Sequence, residues 1–153
     1  MASKGVSTAG SKVGWAKGTD DKTVPKSFTK IPEVKEVPEL NPEPATLETT
    51  TLEETEYKTY TSGLKDLGGA IALTCNFTEE MKTSWSAMCT AANGGSVWVC
   101  IQHPTIGAVA FLAQPNQLGM PQLSVDNVLE VSAYLVPTSA PQWIADSVTI
   151  ADA

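Results

Sequence analysis

Apolar and polar positions alternate most cleanly in GAIALTCNFT. Ile71, Leu73, Cys75 and Phe77 point one way, and Ala70, Ala72, Thr74 and Asn76 point the other. Period two over this length predicts a strand with one core face and one small, polar face. The period then changes. Thr78 is a helix N-cap followed by Glu79 and Glu80, acidic residues that suit the positive end of a helix dipole. Met81, Trp85, Met88, Cys89 and Ala92 recur at i, i+4, i+7, i+8 and i+11, and this apolar stripe predicts a helix over about 79–92. Asn93-Gly94-Gly95 ends it through left-handed backbone geometry. Beyond it, VWVCI (97–101) and GAVAFLA (107–113) read as two strands joined through HPTI. A turn-rich QPNQLGMPQ follows, and NVLEVSAYLV (127–136) alternates again.

The flanks are patterned differently. Residues 1–30 are rich in Gly, Ser, Thr and Lys, with few large apolar residues beyond Val13, Trp15 and Phe28. Pro32, Pro38, Pro42 and Pro44 then forbid a helix, although Ile31, Val34, Val37 and Leu40 can anchor an extended segment on a sheet. Residues 1–44 are therefore expected to be an extended arm with one or two short edge strands. ATLETTTLEE is β-branched with Thr and Glu on both faces, and EETEYKTYTSG carries aromatics and charges without an apolar side. A strand with no greasy face makes sense as a protruding hairpin completed by another subunit. Residues 45–137 form the expected β core with its helix. Residues 138–153 form a C-terminal arm in which Trp143, Ile144, Val148 and Ile150 supply docking groups. The three parts make one structural domain, since 153 residues match a single domain of ~100–150. The fold class is mainly β.

Charge sharpens this picture. The net charge is −7, and the chain contains ten Lys and no Arg. Without bidentate Arg contacts, and with excess negative charge, tight nucleic-acid binding is disfavoured. The charge is also polarised. Residues 1–30 hold six Lys against Asp20 and Asp21, whereas residues 31–60 hold eight Glu against Lys35 and Lys58. A basic arm and an acidic belt could pair between neighbours in a repeating assembly, or could both be solvated. The longest apolar stretch, 106–113, is far shorter than the ~20 residues of a membrane span, and no apolar leader marks the N-terminus for secretion.

Candidate chemistry is sparse. Cys75, Cys89 and Cys100 lie among apolar neighbours with no CxxC spacing, and read as reduced, buried thiols. His103 is the only histidine and precedes a proline in a turn. No nucleophile elbow, Walker loop, dinucleotide fingerprint or zinc-ligand spacing occurs. The expectation is a protein without enzymatic activity, cofactor or metal.

Two stretches carry a resemblance: P-x-L-x-x-x-P-x-T-L-E-x-T-T-L from Pro38 to Leu52, and Y-x-x-G-L-x-D-L-G-G from Tyr60 to Gly69. With the order of elements over residues 10–137, the chain resembles the major tail tube proteins of long-tailed bacteriophages, a family related to the tubes of phage-like bacteriocins and the type VI secretion inner tube. The resemblance implies a β-sandwich or barrel-like domain with one flanking helix, a long protruding hairpin loop and extended terminal arms. It implies a structural virion protein, assembled in the host cytoplasm, whose hexameric rings stack into the hollow tail tube. Genomic DNA then passes through the lumen without tight binding during ejection into the host cell. Its implied partners are other copies of itself, the tape measure protein, the distal tail or baseplate protein, and the tail terminator. Ala70, Ala72, Thr74 and Asn76 would face the lumen, and Glu53, Glu54, Glu56, Tyr57, Lys58 and Tyr60 would form an inter-ring loop. Met81, Trp85, Met88 and Cys89 would be the helix core stripe. The Lys-rich first thirty residues depart from simpler members.

The competing reading is a monomeric β-sandwich that binds carbohydrate or protein at a tail tip or adhesion apparatus, with Trp15, Trp98 and Trp143 as its platform.

Overall fold

In a computed structural model the chain is mainly β with one helix. The described residues are 7, 10–18, 22–40, 44–65, 70–144 and 148–151. In chain order the elements are β1 (Lys12–Ala16), β2 (Ser27–Lys30), β3 (Val34–Glu36), β4 (Pro44–Glu48), β5 (Tyr60–Lys65) and β6 (Ile71–Asn76). The helix α1 (Glu79–Ala92) follows, and then β7 (Val97–His103), β8 (Gly107–Pro115), β9 (Glu130–Pro137), β10 (Gln142–Ile144) and β11 (Thr149–Ala151).

Nine strands form one curled sheet in the order β11-β2-β1-β7-β8-β9-β6-β3, with β10 also paired to β8. All pairings are antiparallel except β11 with β2. β6 has the alternation its sequence predicts. Ile71, Leu73 and Cys75 are buried, while Ala72, Thr74 and Asn76 are half-buried. The helix caps also form. Thr78 Oγ1 accepts from the Met81 N–H at 3.2 Å, and Asn93, at φ 47°, donates its N–H to the Cys89 carbonyl.

The sheet carries apolar residues on both faces. On one face, Met81, Trp85, Met88 and Ala92 of α1 pack with Ile71, Leu73, Cys75, Val97, Val99, Phe111, Val131, Ala133 and Leu135. On the other, Trp98, Cys100, Ala110 and Leu112 pack with Phe28, Val148 and Ile150. Burial of each large side chain is worth roughly 1.5–3 kcal/mol. Two-sided burial explains why Val97, Trp98, Val99 and Cys100 are all inaccessible and why β7 reads as a continuous apolar run.

Residues 12–36, expected from sequence to be an arm with edge strands, supply three strands of this sheet. Only β3 lies at an edge; β1 sits between β2 and β7. Gly14 is the reason β1 fits there. A Cβ at Gly14 would stand 3.0 Å from both Ile150 Cγ2 and Phe28 Cβ, and 3.1 Å from the Thr29 carbonyl oxygen. The C-terminal residues dock on their own chain, because Val148 and Ile150 are buried in the second cluster beside β2. The Thr-rich strand expected over 45–54 stops at Glu48.

Candidate functional site

Among the described strands, the hairpin stands apart from the main sheet. β4 and β5 form a two-stranded sheet of their own. The register places Leu47 opposite Thr61 and Glu48 opposite Tyr60. Beyond the strands, threonines extend the stem. The Thr49 N–H donates to the Thr59 carbonyl at 2.8 Å, and the Thr59 N–H donates to Thr50 Oγ1 at 2.8 Å. Glu53, Glu54, Glu56, Tyr57, Lys58 and Tyr60 are all exposed. So are Leu47 and Leu52, the latter completely.

Sequence explains the shape. No position in residues 44–60 builds an apolar stripe, so the ribbon has nothing with which to grip the body. The hydroxyls and ladder bonds of its stem are met internally instead. A lone two-stranded ribbon is marginal in water, and its outer edges present unpaired backbone groups.

A second surface is the polar half of the sheet. Ala72, Thr74 and Asn76 lie on the same face as the second apolar cluster, and the neighbouring β9 continues it. Tyr134 stands opposite Ala72, Ser132 opposite Thr74 and Glu130 opposite Asn76. Ala70 precedes the strand and is exposed. The face is small and polar, but it carries a cation that its own strand does not reveal. Lys35 Nζ reaches Glu130 Oε1 at 2.7 Å. Both ends are exposed, so the pair contributes only a few tenths of a kcal/mol to about 1 kcal/mol, but it cancels the lysine's charge locally. Asn76 Nδ2 donates to Glu33 Oε2 at 3.4 Å, while Asn76 Oδ1 is buried with no partner among the described residues.

A third surface was not singled out from sequence. Residues 116–129 connect β8 to β9 without regular structure, and expose Met120, Leu123, Val125 and Val128. Both ends are pinned. Trp85 Nε1 donates to the Asn116 carbonyl at 2.6 Å, and the Phe77 N–H donates to the Leu129 carbonyl at 2.9 Å. Irregular connections this long are uncommon in compact domains and are usually either functional loops or linkers. Its signal in the sequence was present: six large apolar residues, Leu118, Met120, Leu123, Val125, Val128 and Leu129, in a stretch interrupted by Gly119 and Pro121.

Met81, Trp85 and Met88 of the helix stripe are buried, whereas Cys89 lies at its rim, half-buried and packed against the cluster. Desolvation pushes the Cys75 and Cys100 thiols up to about 11 and raises that of Cys89, so none is an activated nucleophile. The His103 ring serves its own turn. Nδ1 accepts the backbone N–H groups of Thr105 and Ile106 at 3.1 and 3.2 Å, leaving Nε2 to donate to the Ser7 carbonyl at 2.6 Å. Among the described residues no three His, Cys, Asp or Glu side chains converge on a metal site, and no helix is long and apolar enough to cross a membrane.

The three tryptophans of the competing reading do not form a platform. Trp98 is buried in the second cluster, Trp15 packs against the first, and Trp143 alone is exposed.

No protein-family model matches this chain, and no curated protein is significantly similar to it. What the chain offers to other molecules is therefore read from its own surfaces: an exposed ribbon, a small polar sheet face and an apolar loop.

Proposed function

We propose that this chain is a self-assembling structural protein of the tail tube type. In this reading identical subunits close into hexameric rings, and the rings stack into a hollow tube that conducts DNA from a phage particle into its host. The observation that carries the proposal is the β4–β5 ribbon. It forms a separate two-stranded sheet with exposed side chains and open edges, a shape unfavourable for an isolated molecule and useful where a neighbour completes it. The tail tube resemblance of residues 38–52 and 60–69 supports the same reading. In the tube the ribbon, with Glu53, Glu54, Glu56, Tyr57, Lys58 and Tyr60, bridges successive rings. The face of Ala70, Ala72, Thr74 and Asn76 lines the channel.

Electrostatics favours that assignment of the channel wall. Lys35 is neutralised by Glu130, which stands opposite Asn76, and Glu33 adds negative charge beside it. A wall that releases no counterions from the duplex lets DNA slide, whereas each lysine–phosphate contact adds drag. Contacts that close under rotation give the ring, and those that do not close give the filament. The tape measure, distal tail and terminator proteins would then set the tube's length and ends.

Negative-stain microscopy of purified protein, with sedimentation across a wide concentration range, tests the proposal. Rings or tubes about one subunit thick in the wall are expected. A monomer that persists at every concentration overturns it.

A further inference from the structure

If copies assemble, the hairpin tip meets an acceptor, and one groove among the described residues offers it the opposite charge. It lies between the turn before β2 and the short strand β10, with a volume of about 390 Å3. Lys22, Lys26, Val24, Pro25, Trp143 and Ile144 line it, and no acidic side chain does so among the described residues. Lys22 is engaged within its own chain; Lys26 lies exposed at the rim. Trp143 is 68% exposed on β10, while Ile144 beside it is half-buried and Val148 and Ile150 are buried. Tryptophan is enriched among the few residues that dominate the energy of a protein interface.

The hairpin tip presents the complementary set. Glu53, Glu54 and Glu56 stand against Lys58 alone, and Leu52 and Tyr57 are exposed between them, the tyrosine at 77%. At ~3.3 Å per extended residue, the six residues from 45 to 50 carry the ribbon roughly 20 Å from its base before the turn at its tip. That is a large part of the diameter of a small domain, so the tip can arrive at a neighbouring molecule.

We propose that the tip at residues 52–58 docks into the Lys26–Trp143 groove of a second copy of this chain. Tyr57 and Leu52 pack on the indole, while the glutamates lie against Lys26. Because tip and groove are different patches, the contact is heterologous and each docked subunit offers a free tip or groove to the next. The inference rests on the assembly reading above, and adds to it the acceptor and the chemistry of the join.

Two measurements test it separately from tube formation. In a Cys89→Ala background, chains carrying Thr55→Cys are mixed with size-tagged chains carrying Gln142→Cys and treated with a short bismaleimide. A covalent product containing one of each chain is expected. Its absence overturns the docking, and so does efficient cross-linking within a single chain that carries both substitutions. In the second measurement, Trp143→Ala raises the critical concentration for assembly by ~30-fold or more. Lys26→Glu raises it ~5- to 10-fold at low salt and less at high salt, and adding Glu54→Lys restores it. Wild-type tubes with unchanged assembly of Trp143→Ala and Lys26→Glu overturn the groove and leave the tube standing. Cross-linking without tubes does the reverse.

Discussion

At the scale of single residues, burial determines the chemistry. Cys75 and Cys100 are inaccessible, and losing water disfavours their thiolates, which pushes both thiols to about 11 in the fold. An unfolded cysteine ionises near 8.5. Between those values the unfolded chain releases protons that the folded chain retains, so stability falls as pH rises. Denaturant unfolding at pH 8 and pH 10.5 should show a loss of roughly 2 kcal/mol per thiol, about 4–5 kcal/mol for the two, at the higher pH. A Cys75→Ala, Cys100→Ala variant, less stable at pH 8, should show a clearly smaller pH-dependent loss; an equal loss would assign the effect to other groups. The sequence already indicated the buried Cys75 and Cys100 thiols, because each lies in an apolar strand; Cys89, expected to be buried with them, sits half-buried at the rim of the helix stripe. It gave no sign that His103 accepts two backbone N–H groups, since that depends on where the turn after β7 places its amides. Nor did it show that Lys35 crosses to Glu130, which sits 95 residues further along the chain.

At the scale of elements, legibility follows how local the cause is. β6 and α1 were readable because their alternation, stripe and caps lie within the elements themselves. The placement of β1 and β2 was not, because each contributes few buried side chains. Val13 and Phe28 are the large ones, and the partners that hold the strands come from β7 and from the C-terminal β11. The same holds for the tail, whose parallel pairing with β2 joins the two ends of the chain. The hairpin was legible in a negative way: a stretch with no apolar side has no reason to join the body. This makes it separable. Replacing residues 50–58 by Asn-Gly between Thr49 and Thr59 keeps the β4–β5 register, in which Thr49 stands opposite Thr59, and gives a two-residue turn suited to strand twist. Thermal unfolding should shift by no more than a few degrees, because no buried side chain is lost, while tube growth should stop. Normal tubes from this variant would leave the ribbon without a role between subunits.

At the scale of the whole molecule, the charge distribution gains meaning only if copies surround a channel. The excess of acidic residues disfavours duplex binding by any isolated subunit, so the polar face has to be tested in the assembled state. Thr74 and Tyr134 are suitable positions. They lie on adjacent strands in diagonal register, since Thr74 faces Ser132 and Tyr134 faces Ala72, so two cations there avoid direct cross-strand opposition. Asn76 is a poorer choice, because Glu33 beside it would neutralise a new lysine. Thr74→Lys with Tyr134→Lys adds two cations per subunit, repeated around every ring. The variant should still form tubes, because neither side chain belongs to the buried clusters. Wild-type tubes should not retain linear duplex DNA at physiological salt when they are pelleted, whereas the variant's should. Retention should fall steeply as salt rises, as counterion release requires. If variant and wild-type tubes retain equal amounts of DNA, this face does not line the channel. The face would then belong to the outside of the tube or to a subunit contact, and the strip from β6 to β9 would have to be reassigned.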